Sequence, residues 1–312
     1  MNENNEKLRI GLYGSRYSRC QTKAFIQHIQ KKSANITLEI IDIKPRIRTT
    51  EDEYDQLTQA LQDGVIDVAL MDGMKFIRGQ YRQIGRQQYR VEGAAKRRDS
   101  SNVLVCAKKR DKAETEQTII ANDHVSFKQM NMINEGISCV YEMMSMGSTL
   151  KKIREKQYYG AVLPSGDLKL LKYHRDRHLQ YTYYDCESFV PACGQGLVVA
   201  VMAESSSDEH RMMLRKLSHR DSLRELQIEQ KVLDVIHREI LSALENDCRY
   251  RMNLLDICVN AHIEHDKLTI HLFMPVHDEE SIRITVCGLV EEKNRMIYQM
   301  IEKIKKKLVR YL

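Results

Sequence analysis

Short apolar, β-branched runs alternate with stretches of helical periodicity through the first two thirds of the chain, and this alternation restricts the fold more than any other feature. LRIGLY (8–13), TLEIIDI (37–43) and IDVALM (66–71) read as strands, separated by helical stretches ending near Lys32 and near Asp63. That is a βαβαβ order, and NVLVCA (102–107), TIIA (118–121), YGAVL (159–163) and LVVAVM (197–202) extend it. Helical segments near 125–133, 148–157 and 165–173 lie between them. An α/β architecture with mixed sheets is expected. No internal repeat and no low-complexity tract is visible.

From about Asp208 the pattern changes to a long helical region reaching Glu245, three strand-like runs (257–263, 268–274, 282–289) and a last helix over 291–311. These elements predict a smaller α+β domain, and ESSSDEH (204–210) is the stretch most like a linker. Ile297, Met300, Ile301, Ile304 and Leu308 form one apolar stripe of the last helix, as expected of a docked helix. With 312 residues and 42% hydrophobic content, the chain can bury a large core across two or three domains. Eight cysteines without framework spacing, and an amino terminus lacking a signal-like apolar stretch, place the expected home in a reducing cytoplasm. No apolar run approaches the roughly 20 residues that span a bilayer, so no membrane partner is expected.

The net charge of +6 gathers locally in AAKRRDSS, CAKKRDK and EKIKKKLVR. Such runs attract anions of several kinds or simply solvate a face, so charge does not choose a ligand. The 15 tyrosines are dispersed and tryptophan is absent, so no stacking platform for nucleic acid is evident. Cys258 and His262 fall four apart on an expected strand, about 13 Å along it, too far to share an ion, and no metal site is expected. His174 and His178 could share a helical face, but no third ligand accompanies them. Pro191, Gly194 and Gly196 precede a buried strand and demand an irregular, close backbone approach. Cys248, at the end of ILSALENDC, is either a small packing residue or a covalent attachment point.

With these pieces in order, the chain resembles the hydroxymethylbilane synthase (porphobilinogen deaminase) family over nearly its whole length. RIGLYGSRYSRCQT (Arg9 to Thr22) is similar to the family's RIGTRxSxLAxxQ, and ALQDGVIDVALMDG (Ala60 to Gly73) to ALxxGxIDxAVHS. KRRDSSNVLV (Lys96 to Val105) resembles KREDPRDAxV, and TLKKIREKQYYGAVLPSGDLKLL (Thr149 to Leu171) follows RLxKLxxGxYDAIILAxAGLxRL. PACGQG (Pro191 to Gly196) is similar to PAVGQG, and REILSALENDC (Arg238 to Cys248) to ERAFLRxLEGGC. The resemblance implies two periplasmic-binding-protein-like α/β domains (1–98 with 189–207, and 99–188) with a cleft, and a smaller C-terminal α+β domain (208–312). It implies a monomeric transferase of tetrapyrrole biosynthesis that condenses four porphobilinogen units on a dipyrromethane cofactor fixed to Cys248. Ser15, Gln195 and Gly196, retained in the matched motifs, are expected at the cofactor. The substrate class is a polycarboxylate pyrrole, which basic runs suit.

The chain departs from the family where its chemistry lies. The family's catalytic aspartate, in HSxKDxP, has no counterpart in MDGMKFI: Lys75 takes its place without a gap, and Asp72 takes the serine's. Asp72 and Lys75 are the candidate catalytic residues, with the Asp72 carboxylate expected roughly 10 Å along a continuing strand from the lost acid. The family's arginines fall on Tyr13, Ser126, Phe127, Met143 and Thr149, which cannot form bidentate contacts with carboxylates. Lys96, Arg97, Arg98, Lys128, Lys151 and Lys152 are candidate replacement cations or ordinary charged surface. Two rival readings accompany the enzyme: a non-catalytic binding or interaction protein of the same fold, and a basic nucleic-acid binder whose affinity would fall steeply with salt.

Overall fold

The computed structural model describes residues 6–32, 36–45, 52–82, 88–108, 118–133, 138–242, 253–276 and 280–309. Cys248 lies outside them, as do the lysine-rich residues 109–117. The chain divides into two compact units, 1–98 with 194–226 and 99–193 with 227–312.

In the first unit, β1 (Glu6–Tyr13), α1 (Arg16–Lys32), β2 (Ile36–Ile43), α2 (Glu53–Gln62), β3 (Val68–Asp72), α3 (Gly73–Arg82) and β4 (Tyr89–Ala94) are followed, after a long excursion, by β10 (Val198–Ala203). The sheet order is β2-β1-β3-β10-β4. β1 runs parallel to both β2 and β3, whereas β10 is antiparallel to β3 and β4. Every residue of β3 is buried, as befits a central strand covered on both faces. Leu8, Ile10, Val68, Leu70, Val198, Ala200 and Met202 form a core with Phe25 and Ile29 of α1. On the opposite side of β1, a Cβ added to Gly11 would lie 2.3 Å from Ile66 Cδ1. At the start of β3, Arg9 donates through Nε and Nη2 to Asp67 at 3.1 and 2.6 Å, and its backbone N–H adds a third bond at 2.8 Å. Four residues of the RIG and ID motifs, Arg9, Gly11, Ile66 and Asp67, are therefore accounted for by packing and one ion pair.

The second unit repeats the plan. β5 (Asn102–Ala107), β6 (Thr118–Ala121), α4 (His124–Ile133), β7 (Ser138–Tyr141), α5 (Met146–Arg154), β8 (Gly160–Pro164), α6 (Ser165–Leu170) and β9 (Leu179–Tyr183) give the sheet order β7-β6-β8-β5-β9. Again three neighbouring strands are parallel, and the fourth, β5, is antiparallel to both of its neighbours. In each sheet that fourth strand is the first to arrive from the other unit. A structural duplication is thus present where the sequence shows no repeat. His174 lies in a short 3-10 turn and His178 beyond its end, so the two share no helical face.

After β10, Ser207 accepts the His210 N–H and caps α7 (Asp208–Leu217), which buries Leu214 in the first unit's core. α8 (Arg220–Ile236) follows. β11 (Cys258–Glu264), β12 (Lys267–Pro275) and β13 (Ser281–Leu289) form an antiparallel sheet belonging to the second unit. His265 and Asp266, with φ of 47° and 64°, make its first two-residue hairpin turn, whose twist matches that of the flanking strands. α9 (Lys293–Leu308) packs along β13 and buries Met296, Ile297, Met300, Ile301, Ile304 and Leu308. Among the described residues no helix is long and apolar enough to cross a membrane, and no group of three His, Cys, Asp or Glu side chains could hold a metal ion.

Candidate functional site

The carboxyl ends of β1 and β3 carry the matched residues of the first unit. β3 stops at Asp72 because the next residues turn at once into α3: the amides of Met74 and Lys75 donate to Asp72 Oδ1 at 3.0 and 3.3 Å, the pattern of a helix cap. The strand expected to continue through Lys75 therefore does not exist. In the first turn of a helix, residues three apart are about 5 Å rather than 10 Å apart, so Asp72 lies much nearer the lost acid's position than strand geometry implied. Its other oxygen, Oδ2, accepts from Gln21 Nε2 of α1 at 2.7 Å, and both side chains are buried. Gln21 also bonds the Tyr17 hydroxyl. Of about four lone-pair positions on a carboxylate, three are occupied.

Lys75 points elsewhere. Its ammonium donates to Glu53 Oε2 at 2.7 Å and lies 5.7 Å from the centre of the Tyr17 ring. Glu53 is 5% exposed, at the start of α2, where Asp52 and Asp55 form a reciprocal capping box. Burial pushes the Glu53 carboxyl above its ordinary range, against the pull of Lys75. For Lys75, burial would lower the ammonium, but Glu53 and Asp72 together hold it above its usual value. Sequence reasoning missed Glu53; the acidic run EDEYD announces a helix start but not which of its acids is buried.

Ser15 and the PACGQG loop frame this cluster structurally. The Ser15 hydroxyl accepts the Ser18 N–H at 3.0 Å at the start of α1. Gly194 and Gly196 adopt φ of 75° and 79°, and a Cβ on Gly194 would sit 2.5 Å from the carbonyl carbon of Gly73. Gly73 in turn donates to the Leu197 carbonyl at 3.0 Å. Only paired glycines allow the loop to press on the first turn of α3. The Gln195 carbonyl accepts from Arg97 Nε, and the Gly196 carbonyl from the Arg98 amide, both at 2.9 Å. Arg97 is buried, its guanidinium 3.7 Å from Glu225, so it braces the unit rather than offering a surface cation. Lys96 is exposed.

In the second unit the positions of the family's arginines hold no cation. Ser126 donates to Asp123 Oδ2 at 2.7 Å, and the buried Thr149 hydroxyl bonds Asn122 and the Ser145 carbonyl. Phe127 stacks on His124 with centroids 6.1 Å apart, and Met143 is 80% exposed. The neighbouring candidates are engaged with acids: Lys128 with Asp256 at 2.8 Å, Lys152 with Glu142 at 2.9 Å, Lys151 with Glu155 at 3.7 Å. These residues do not fit the way guanidinium forks would hold the carboxylates of a dipyrromethane.

No protein-family model matches the chain. It is 24% identical over 240 residues to a probable porphobilinogen deaminase of Saccharolobus islandicus, covering 74% of this chain and 78% of that protein. It is 29% identical over 163 residues to the porphobilinogen deaminase of Coxiella burnetii, covering 51% of this chain and 47% of that one. Among solved structures, the periplasmic VFT2 domain of BvgS from Bordetella pertussis is similar at a TM-score of 0.46 and 11% identity, covering 69% of this chain and 87% of that chain. Two mixed α/β sheets of one strand order and the braced PACGQG loop accompany this low-identity similarity to porphobilinogen deaminases, and the similarity supports a divergent member of that family.

Proposed function

We propose that this chain works in tetrapyrrole biosynthesis in the cytoplasm, handling porphobilinogen and its oligomers in the manner of a hydroxymethylbilane synthase, with Cys248 as the attachment point for the growing chain. The observation that carries this reading is the Asp72 cluster. A buried carboxylate stands at the end of β3, one helical turn from the position of the family's acid, fixed by Gln21 and two amides, which take three of its roughly four acceptor positions among the described residues. A fixed anion of this kind can accept a ring N–H and stabilise positive charge developing on a pyrrole, without reorganising as it does so. The ordinary test is direct: purified protein incubated with porphobilinogen should form bilane, and Asp72→Asn should not.

A second reading, a non-catalytic pyrrole-binding or interaction protein, has its own support. Lys75 is committed to Glu53, and the arginine positions of the second unit are Ser126, Phe127, Met143 and Thr149. Binding of porphobilinogen without any bilane would favour it over the enzyme.

A further inference from the structure

His124 opens α4, and Lys128 follows one turn later on the same face. Both reach Asp256, the last residue of the 3-10 turn Leu254–Asp256: His124 Nδ1 at 2.7 Å from Oδ1, Lys128 Nζ at 2.8 Å from Oδ2. Asp256 is 5% exposed, whereas the His124 side chain is 46% exposed. A tether between the turn and α4 needs only one of these contacts, and Lys128 alone supplies it with charge. The second contact does something different. A carboxylate already facing an ammonium accepts the hydrogen of Nδ1, and so selects the tautomer whose Nε2 carries a bare lone pair. Among the described residues Nε2 has no hydrogen-bond partner.

What surrounds that lone pair decides which ligand it suits. Phe127 lies nearly parallel to the imidazole at 6.1 Å and Tyr141 meets it edge-on at 5.8 Å, the two being 6.4 Å apart, and Tyr141 is 41% exposed. The described donors beside it are committed elsewhere: Lys128 is held by Asp256, and the Ser126 amide and hydroxyl both go to Asp123. The offer is one hydrogen-bond acceptor on an imidazole flanked by two aromatic rings. That combination is complementary to a flat aromatic ring bearing an N–H.

We propose that His124, oriented by Asp256, accepts the ring N–H of a pyrrole-type ligand laid against Phe127 and Tyr141. His124 is then a ligand-binding residue and Asp256 its positioning residue. The identity of the ligand as a pyrrole of the tetrapyrrole pathway rests on the functional reading above; the N–H acceptor itself does not. Two small probes separate them. Pyrrole-2-carboxylate should shift the side-chain 15N and 1H resonances of His124, and N-methylpyrrole-2-carboxylate, which lacks the donor, should not. Affinity for porphobilinogen should fall about tenfold in His124→Phe, the loss of one hydrogen bond. Asp256→Asn keeps the tether but turns a donor toward Nδ1, reversing the tautomer; it should show the same loss, with the His124 resonances moving to the other tautomer. Both variants should unfold at wild-type temperature within a few degrees. If porphobilinogen fails to bind but pyrrole-2-carboxylate still moves His124, the site stands and the pathway reading falls. If porphobilinogen binds while His124→Phe keeps full affinity, or if both small probes act alike on His124, the proposed site is wrong.

Discussion

Replacing Asp72 in two ways separates its charge from its hydrogen bonds. In Asp72→Ala the amides of Met74 and Lys75 lose their cap, which costs about 0.5–2 kcal/mol. The buried Gln21 amide also loses its acceptor, worth about 1–3 kcal/mol, with the lower half applying because the Tyr17 hydroxyl remains within reach. The sum is a destabilisation of about 1.5–4 kcal/mol, readable as a lower midpoint in urea at unchanged slope. Asp72→Asn keeps the oxygen that caps α3. Gln21 can turn its amide end over to offer an acceptor to the new amide nitrogen, and the Tyr17 hydroxyl, donor and acceptor both, follows. That variant should lose no more than about 1 kcal/mol. Its negative charge is gone nonetheless, and bilane formation should fall by about 100-fold or more, the scale of removing a positioned proton-handling group. Assaying turnover and unfolding on both variants decides the matter. An Asp72→Asn protein with wild-type turnover would rule out a role for the charge, and an Asp72→Ala protein with wild-type stability would rule out the cap and the Gln21 bond as stabilising contacts.

Two further outcomes follow from the framework around the site. Gly194→Ala must adopt φ near 75° and place a methyl 2.5 Å from the backbone of Gly73, where no side chain can yield; a loss of at least about 1–3 kcal/mol is expected, and wild-type stability would contradict the tight approach. For Asp99, burial alone would raise the carboxyl, but hydrogen bonds from Lys169, Ser101 and Ser165 outweigh it and lower it from 3.8 to about 2. The folded value lies below the unfolded one, so the stabilisation is present above about pH 3.8 and disappears as pH falls through about 2. With solvent screening this partly exposed group contributes on the order of 1 kcal/mol, and acid titration of Asp99→Asn should show that much less loss than wild type over the same window.

The strands legible in the sequence are those carried by apolar, β-branched runs, the edge strand β2 among them. β1, β2, β3, β5, β6, β8 and β10 coincide with such runs, as do the three strands of the C-terminal sheet. β4, β7 and β9 escape because YRVEGA, SCVY and LQYTY mix polar and aromatic residues, as an edge strand allows. α3 was concealed by its glycines. GMKFIRGQYR scores poorly as a helix, yet Gly73 is required by the Gly194 loop, and a Cβ on Gly79 would lie 2.1 Å from the Tyr54 ring. Tertiary packing overrides propensity there. Asp72 could be named from its motif position, but its role could not, because the strand-to-helix turn decides its distance from everything else. Glu53 is one acid among several in its run until folding buries it. His124 and Asp256 are 132 residues apart in sequence, and nothing local in either segment points to the other.

If a pyrrole chain is built on Cys248, the intact mass of the protein records it. Protein purified from a porphobilinogen-producing host should exceed its sequence mass by one dipyrromethane, and Cys248→Ala should lack the increment. Incubation with porphobilinogen should then add further pyrrole units to the wild type. A wild-type protein of unmodified mass that forms no bilane would contradict the account.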